Sequence, residues 1–347
     1  MGEHYRLGFA VKVLGAGGLK TSDTRRWQSG PHLSRSLELL DSAFDYLDEI
    51  DVRVYRMSSS TVPYGTHPDL PDLDYRRQIG ECEAQLERLG EKARRFGLRL
   101  STHPGQYTVL SSPVEEIARK ARLDLEQDAL LLDSLGIGPE GVVVIHVGGV
   151  YGDPAASLER WVRSFDRLSE RAQRRVVVEH DERCFDLSDA LNLHKRTGVR
   201  VVFDLHHHRC NAAPGLEDVA VALPAALDTW PADVRPKAHV SSARTELRSV
   251  GGKPQPPLLD QHADFLTPWD FLTLLEASDR PLDVMVEAKA KDLAIRWLRR
   301  ALARVAPLAA SQEELAVAKL FEDPEKQVDE ALDRFAGVVA GWNGSST

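Results

Sequence analysis

Histidines and carboxylates recur in this chain at one kind of place, the end of an apolar, β-branched run. Val199-Arg200-Val201-Val202-Phe203 ends in Asp204, with His207 three residues on. His103 follows Leu98–Thr102, and His146 lies near the end of Val142–Val147. Glu179 ends Val176–Glu179, His239 lies in Pro236–Val240, and Glu287 follows Leu282–Val286. His67 comes after the second such run, and Asp260 and His262 come after the seventh. Imidazole and carboxylate without thiol suit Zn²⁺ or Mn²⁺. A glutamate closing an apolar strand is costly without a cation, which favours Glu179 and Glu287 as ligands. One strand-end histidine alone is more often a hydrogen-bonding rim residue; here the recurrence decides. The set exceeds what one ion needs, so two or three divalent ions are expected. Such a cluster fits in-line phosphoryl displacement. Glu179, midway in the ring, is expected to bridge ions.

The elements that must position these groups alternate. Strands are predicted at Arg6–Val13, Val52–Met57, Leu98–Thr102, Val142–Val147, Val176–Glu179, Val199–Phe203, Pro236–Val240 and Leu282–Val286. Helical spacing of apolar residues predicts helices over Leu33–Ile50, Tyr75–Phe96, Pro113–Leu135, Pro154–Ala172, Leu187–Arg196, Leu216–Leu227, Trp269–Ala277 and Ala288–Ala303. Eight strands, each followed by a helix, make an α/β chain with the arithmetic of a (β/α)₈ TIM barrel. Strand ends then converge on one face, where such barrels carry their active sites. The segment Ala243–Phe265 reads as an irregular insert. The barrel is expected over residues 1–305, with an acidic helical extension over 306–347 packed on it.

Composition narrows the function. The net charge is −9, and Gln312–Arg334 holds eight acids against three bases. That balance lacks the basic footprint usual for nucleic-acid binding, although metal-binding carboxylates would be neutralised in the working protein. No apolar run is long enough to span a membrane, and the opening segment reads as a strand without a signal peptide, so a cytoplasmic protein is expected. Three scattered cysteines exclude a disulfide framework. Cations in loops of the expected active face, Arg25, Arg26, Arg183, Arg209, Arg244 and Lys253, are candidate phosphate contacts. Lys237 and His239 alternate on one strand and face the same way.

The segments His103-Pro104-Gly105-Gln106-Tyr107, Ile145-His146-Val147-Gly148-Gly149, Asp204-Leu205-His206-His207, Lys237-x-His239-x-Ser241-Ser242 and His262-Ala263-Asp264 resemble the UV damage endonuclease family, itself related to endonuclease IV barrels. The resemblance runs from about Leu7 to Ala290. It implies a DNA repair endonuclease that nicks duplex DNA immediately 5′ to UV photoproducts, leaving a 3′-hydroxyl and a 5′-phosphate, usually with Mn²⁺. His103, His146, Glu179, Asp204, His207, His239, His262 and Glu287 would match the metal ligands, and His67 an additional site histidine. Lys237 would match a lysine that can carry a carboxyl modification. Gln106 and Tyr107 would match the pair that probes the lesion. The first strand departs from the pattern: it reads Leu7-Gly8-Phe9 where the family shows a lesion-facing tyrosine, and Val11–Leu14 lacks the usual asparagine.

A competing reading is a small-molecule metalloenzyme on the same barrel, sugar isomerase-like or iron oxygenase-like, with Zn²⁺ or Fe²⁺ as alternative ions. It would account for the acidity. Gel-shift binding to duplex DNA separates the two. Neither reading calls for a membrane or an obligate protein partner.

Overall fold

The computed structural model of the chain describes residues 4–105 and 107–310. The predicted strands are present as β1 (Tyr5–Ala10), β2 (Val54–Arg56), β3 (Arg99–Thr102), β4 (Val142–His146), β5 (Val176–Glu179), β6 (Arg200–Asp204) and β7 (Lys237–Val240), then, after the short pair β8 (Arg248–Val250) and β9 (Lys253–Gln255), β10 (Leu282–Val286). β1 to β7 and β10 pair in parallel and close into one barrel, β10 lying between β7 and β1. Runs such as Val142-Val143-Val144 and Val176-Val177-Val178 are buried throughout, as strands covered on both faces must be.

The helices outside the barrel are α1 (Leu33–Glu49), α2 (Tyr75–Glu81), α3 (Glu83–Arg95), α4 (Glu115–Ser134), α5 (Pro154–Phe165), α6 (Glu170–Arg175), α7 (Leu187–Thr197), α8 (Leu205–Cys210), α9 (Val219–Leu227), α10 (Pro268–Glu276) and α11 (Lys291–Ala310). Two predicted helices are broken. Tyr75–Phe96 divides at Cys82, whose φ of −108° and ψ of 10° depart from helical values. Pro154–Ala172 ends at Phe165 and restarts at Glu170, where the Ser169 hydroxyl accepts the Ala172 N–H and caps α6. Helix α8, directly after β6, was not expected. Nor was the hairpin inside the insert: Arg248 pairs with Gln255 and Val250 with Lys253, joined by Gly251 and Gly252. Both glycines have positive φ, 58° and 76°, the requirement of a two-residue hairpin turn. The barrel's compact unit ends at Leu298, inside α11. Apart from 306–310, the end of α11, the expected acidic extension lies outside the described residues.

The barrel interior is layered by charge. Near the N-terminal end, Arg6 donates two 2.6 Å hydrogen bonds to Asp283, and Arg99 donates to the same carboxylate. Lys237, level with Asp283 on the neighbouring strand, is fully buried and donates to Ser101 Oγ at 2.7 Å. The histidines and the other carboxylates lie above it, at the C-terminal ends of the strands.

Candidate metal centre

Strand register sets the ligands side by side. His146 on β4 is level with Glu179 on β5, and Asp204 on β6 is level with His239 on β7. Glu287 follows β10 and is tied in by its N–H, which donates to Val240 O at 2.9 Å. Helix α8 places His207: Asp204 Oδ1 accepts the His207 N–H at 2.8 Å, so one carboxylate oxygen caps the helix and the other remains for a ligand.

Three groups of ligand atoms are close enough to hold an ion: His103, His146 and Glu179; Glu179, His239 and Glu287; and Glu179, Asp204 and His207. Glu179 belongs to all three. It is 1% exposed, with Oε1 at 2.9 Å from His239 Nδ1 and Oε2 at 3.8 Å from His103 Nε2. His262 stands beside the second group, its Nε2 3.6 Å from Glu287 Oε2 and its Nδ1 2.6 Å from Ser241 Oγ. The rings of His103, His146, His207 and His262 follow one another with centroids 5.2, 5.6 and 5.9 Å apart.

The residues fit divalent cations. Glu179 Oε2, Asp204 Oδ2 and His146 Nδ1 are buried without a hydrogen-bond partner, an expensive state for three polar atoms unless each takes a ligand. Burial would raise the Glu179 carboxyl, but His239, His146 and the hydrogen bonds from His207 and His239 hold it well below the usual range. Burial presses His207 downward, yet Asp204 and Glu179 outweigh it and push the ring up to about 11, so an ion held by this group would displace a proton from His207. Burial, with Arg56 and His146 adding to it, brings His103 down to about 3, which leaves a neutral ring able to ligate. Burial, reinforced by Arg99 and Arg56, depresses the Lys237 ammonium well below its ordinary value.

Other expected site residues lie elsewhere. His67 is exposed in the loop after β2, its Nδ1 accepting the Asp69 N–H at 3.2 Å, and stands outside the three groups. Phe9 is 0% exposed and packs edge-on to Tyr55, a core position that removes it from any surface a duplex could touch. Tyr107 is 81% exposed; Gln106 lies outside the described residues. Arg25 is paired with Asp23, Arg183 with Asp260 and Arg209 with Asp270, while Arg26 and Lys253 are exposed. Arg244 is 3% exposed at the root of the hairpin, with Nε and Nη2 lacking a hydrogen-bond partner.

Sequence reasoning passed over two residues. His180 is fully buried; its Nε2 accepts the Asp204 N–H at 3.1 Å, and its carbonyl lies 3.0 Å from His207 Nδ1. Its place next to Glu179 was the available signal. Arg56 reaches Glu287 and His239 from β2; an arginine ending Val54-Tyr55-Arg56 was the clue.

A family model described as UV-endonuclease UvdE matches residues 33–315. A UV DNA damage endonuclease of Bacillus velezensis is 33% identical over 263 residues, which cover 73% of this chain and 76% of the relative. The crystal structure of SacUVDE superposes with a TM-score of 0.73 at 27% identity, covering 87% of this chain and 99% of the other. Endonuclease IV from Thermus thermophilus shares the fold, with a TM-score of 0.52 at 18% identity over 86% of this chain and 99% of its own.

Proposed function

The chain belongs to the UV-endonuclease UvdE family, and from that premise we propose that it cuts duplex DNA on the 5′ side of UV photoproducts, leaving a 3′-hydroxyl and a 5′-phosphate, with two or three divalent ions at the Glu179 centre. The single observation that carries the reading is the sharing of Glu179 by three ligand groups. His103, His146, Asp204, His207, His239, His262 and Glu287 would complete the ligand set, with Mn²⁺ the ion of choice and Zn²⁺ or Fe²⁺ the alternatives. Bound ions of this kind polarise a phosphodiester and supply a nucleophile at neutral pH.

The chain's own groups do the rest. Asp204 fixes His207 through the cap of α8, and His180 fixes Asp204 from behind. A buried lysine whose ammonium is disfavoured, as at Lys237, holds the neutral amine that a carboxyl modification requires. Arg26 and Lys253, both exposed, are the phosphate contacts we favour; Arg244 is buried, and Arg25, Arg183 and Arg209 would first have to leave their carboxylates. Tyr107 and Gln106 would enter the duplex where a poorly stacked photoproduct is cheap to extrude, the ring replacing a stacking contact worth about 1–3 kcal/mol. With Phe9 in the core, this pair would carry more of the discrimination. His67 would serve the substrate from the rim. The sugar-isomerase or iron-oxygenase reading has the acid balance of the chain behind it, and no feature of the site favours it. No described helix is long and apolar enough to cross a membrane; action in the cytoplasm, on the nucleoid, fits this reading.

The test is nicking of UV-irradiated against untreated supercoiled plasmid, with metal content measured on the same preparation and the new ends mapped. Irradiated plasmid should be nicked preferentially, with loss on chelation and recovery with Mn²⁺. Equal cutting of both plasmids by metal-loaded protein would sink the proposal.

A further inference from the structure

At the N-terminal mouth of the barrel, the end away from the ligand groups, a cavity of about 540 Å³ is lined by Arg6, Arg94, Arg99 and Arg235. Different elements deliver them: Arg6 lies on β1, Arg94 in the last turn of α3, Arg99 at the start of β3 and Arg235 just before β7. Asp283 takes Arg6 and Arg99, and Arg235 Nη1 comes within 3.9 Å of the same carboxylate. Arg94 is answered only by carbonyls, its Nη1 donating to Leu135 O at 3.1 Å and Gly136 O at 2.9 Å. Arg200 joins the group: it donates to the carbonyls of Pro139 and Arg174 and lies over the Trp230 ring, which Arg99 also faces. Against these guanidiniums stand Asp283 and, on the cavity wall, Glu140 and the exposed Asp233. Positive charge is in excess.

Arg99 carries the sharpest deficit. It is 1% exposed; Nε donates to Glu140 O at 2.8 Å and Nη1 to Asp283 and Arg235 O, while Nη2 has no hydrogen-bond partner among the described residues. A guanidinium cannot shed its charge at any pH a protein meets. The cost of that buried, unanswered donor therefore stays until an acceptor arrives. Crowding among the cations shows at Arg200 as well, where burial, then Arg99 and Arg175, bring the guanidinium down to about 10.

We propose that this cavity is a binding site for the phosphate group of a small molecule, with Arg94 and Arg99 as its donors. Phosphate oxygens match the planar fork of a guanidinium. The volume lies in the range of small-molecule pockets, more than a bare ion fills, and Ile137 and Val234 give it an apolar wall. A nucleoside monophosphate meets both features, and free phosphate offers the same anion without the organic body. The site draws nothing from the metal centre at the other end. Bound ligand would tie α3 and β3 to the loop after α4, so it should raise stability by mass action.

The experiment is calorimetric titration of the full-length, metal-loaded chain with thymidine monophosphate and with inorganic phosphate, at fixed ionic strength in chloride, for wild type, Arg94→Gln and Asp233→Asn. Both altered residues are exposed, so neither change opens the core. Wild type should bind one ligand, thymidine monophosphate more tightly than phosphate, and should melt higher with either present. Arg94→Gln should weaken both about tenfold, the scale of one charge-assisted hydrogen bond. Asp233→Asn should tighten both about twofold, the scale of one screened surface charge; a merely structural disturbance would not reverse the sign. Metal content should stay at the wild-type level in both variants. Equal affinity for the two ligands would support the anion site with free phosphate as its occupant. No saturation by either ligand up to millimolar concentration would overturn the proposal. Binding that Arg94→Gln leaves unchanged would overturn it too, and would place the phosphate elsewhere, at the metal ions first.

Discussion

At the N-terminal end of the barrel, Asp283 is fully buried and both its oxygens are taken, by Arg6 through two hydrogen bonds and by Arg99. At the C-terminal end, Glu179 and Asp204 are buried as deeply, yet each keeps an oxygen without a hydrogen-bond partner. Both ends place carboxylates in a medium that penalises charge. One end answers with cations built into the chain. The other surrounds its carboxylates with imidazoles, which can be neutral and can ligate. A carboxylate saturated by arginine holds the barrel together, whereas a half-satisfied one among histidines has an oxygen to offer an ion. Glu287 lies between the two cases, held by Arg56 and flanked by His239 and His262.

The largest effect should come from breaking the open end. Glu179→Gln removes the charge common to all three ligand groups, so nicking should fall by more than about a hundredfold and bound metal should be lost, with the circular dichroism of the barrel retained. Full metal occupancy in this variant would mean that the groups fill independently. Next comes the closed end. Asp283→Asn leaves two guanidiniums without their carboxylate, a change that costs about 3–5 kcal/mol in buried ion pairs. Urea melts should show that loss, while metal content per folded molecule stays at the wild-type level. Loss of metal here would show that the two ends are one system.

The alternation that makes the barrel was legible because β-branched runs and helical periodicity are local signals, and the candidate ligands stood out because most of them close such a run or follow it. Arg56 did not, since an arginine at the end of a strand is usually a surface charge and only closure of the barrel brings it to Glu287. The fate of Arg183 and Arg209 was hidden for the same reason, since Asp260 and Asp270 meet their arginines only in the fold; the partner of Arg25, Asp23, is two residues away. The hairpin was masked by Gly251 and Gly252, which look like loop residues and in fact make the turn. Phe9 follows strand alternation into the core, where substrate recognition by analogy had placed it at the surface.

A third carboxylate sharpens the comparison by having neither arginine nor imidazole. Asp128 on α4 is 4% exposed, one oxygen lacks a partner, and burial raises its pKa from 3.8 to about 7. Here the proton takes the part of the cation. The folded chain holds that proton where the unfolded chain has released it, so stability is highest below the unfolded value and falls as pH rises from about 4 toward 7. Asp128→Asn should flatten that part of the pH–stability curve and gain about 1–3 kcal/mol at pH 8, the scale of an uncompensated buried polar group. This is the smallest of the expected effects, and an unchanged curve from thermal melts across pH 4–8 would remove Asp128 from the account.

The base of the insert has a consequence for how such a protein can change over generations. Ala243 and His262 form an antiparallel bridge, Arg244 N–H donates to Gln261 O at 2.7 Å, and Ala263 N–H to Ser242 O at 2.9 Å. The chain therefore leaves and re-enters the barrel rim through one fixed doorway, with His262 standing at it. Lengthening or rewriting the hairpin beyond costs only the slowly growing entropy of a longer loop, and the doorway keeps its shape. The segment between is therefore a cassette whose lengthening leaves the doorway, and with it the place of His262, unchanged.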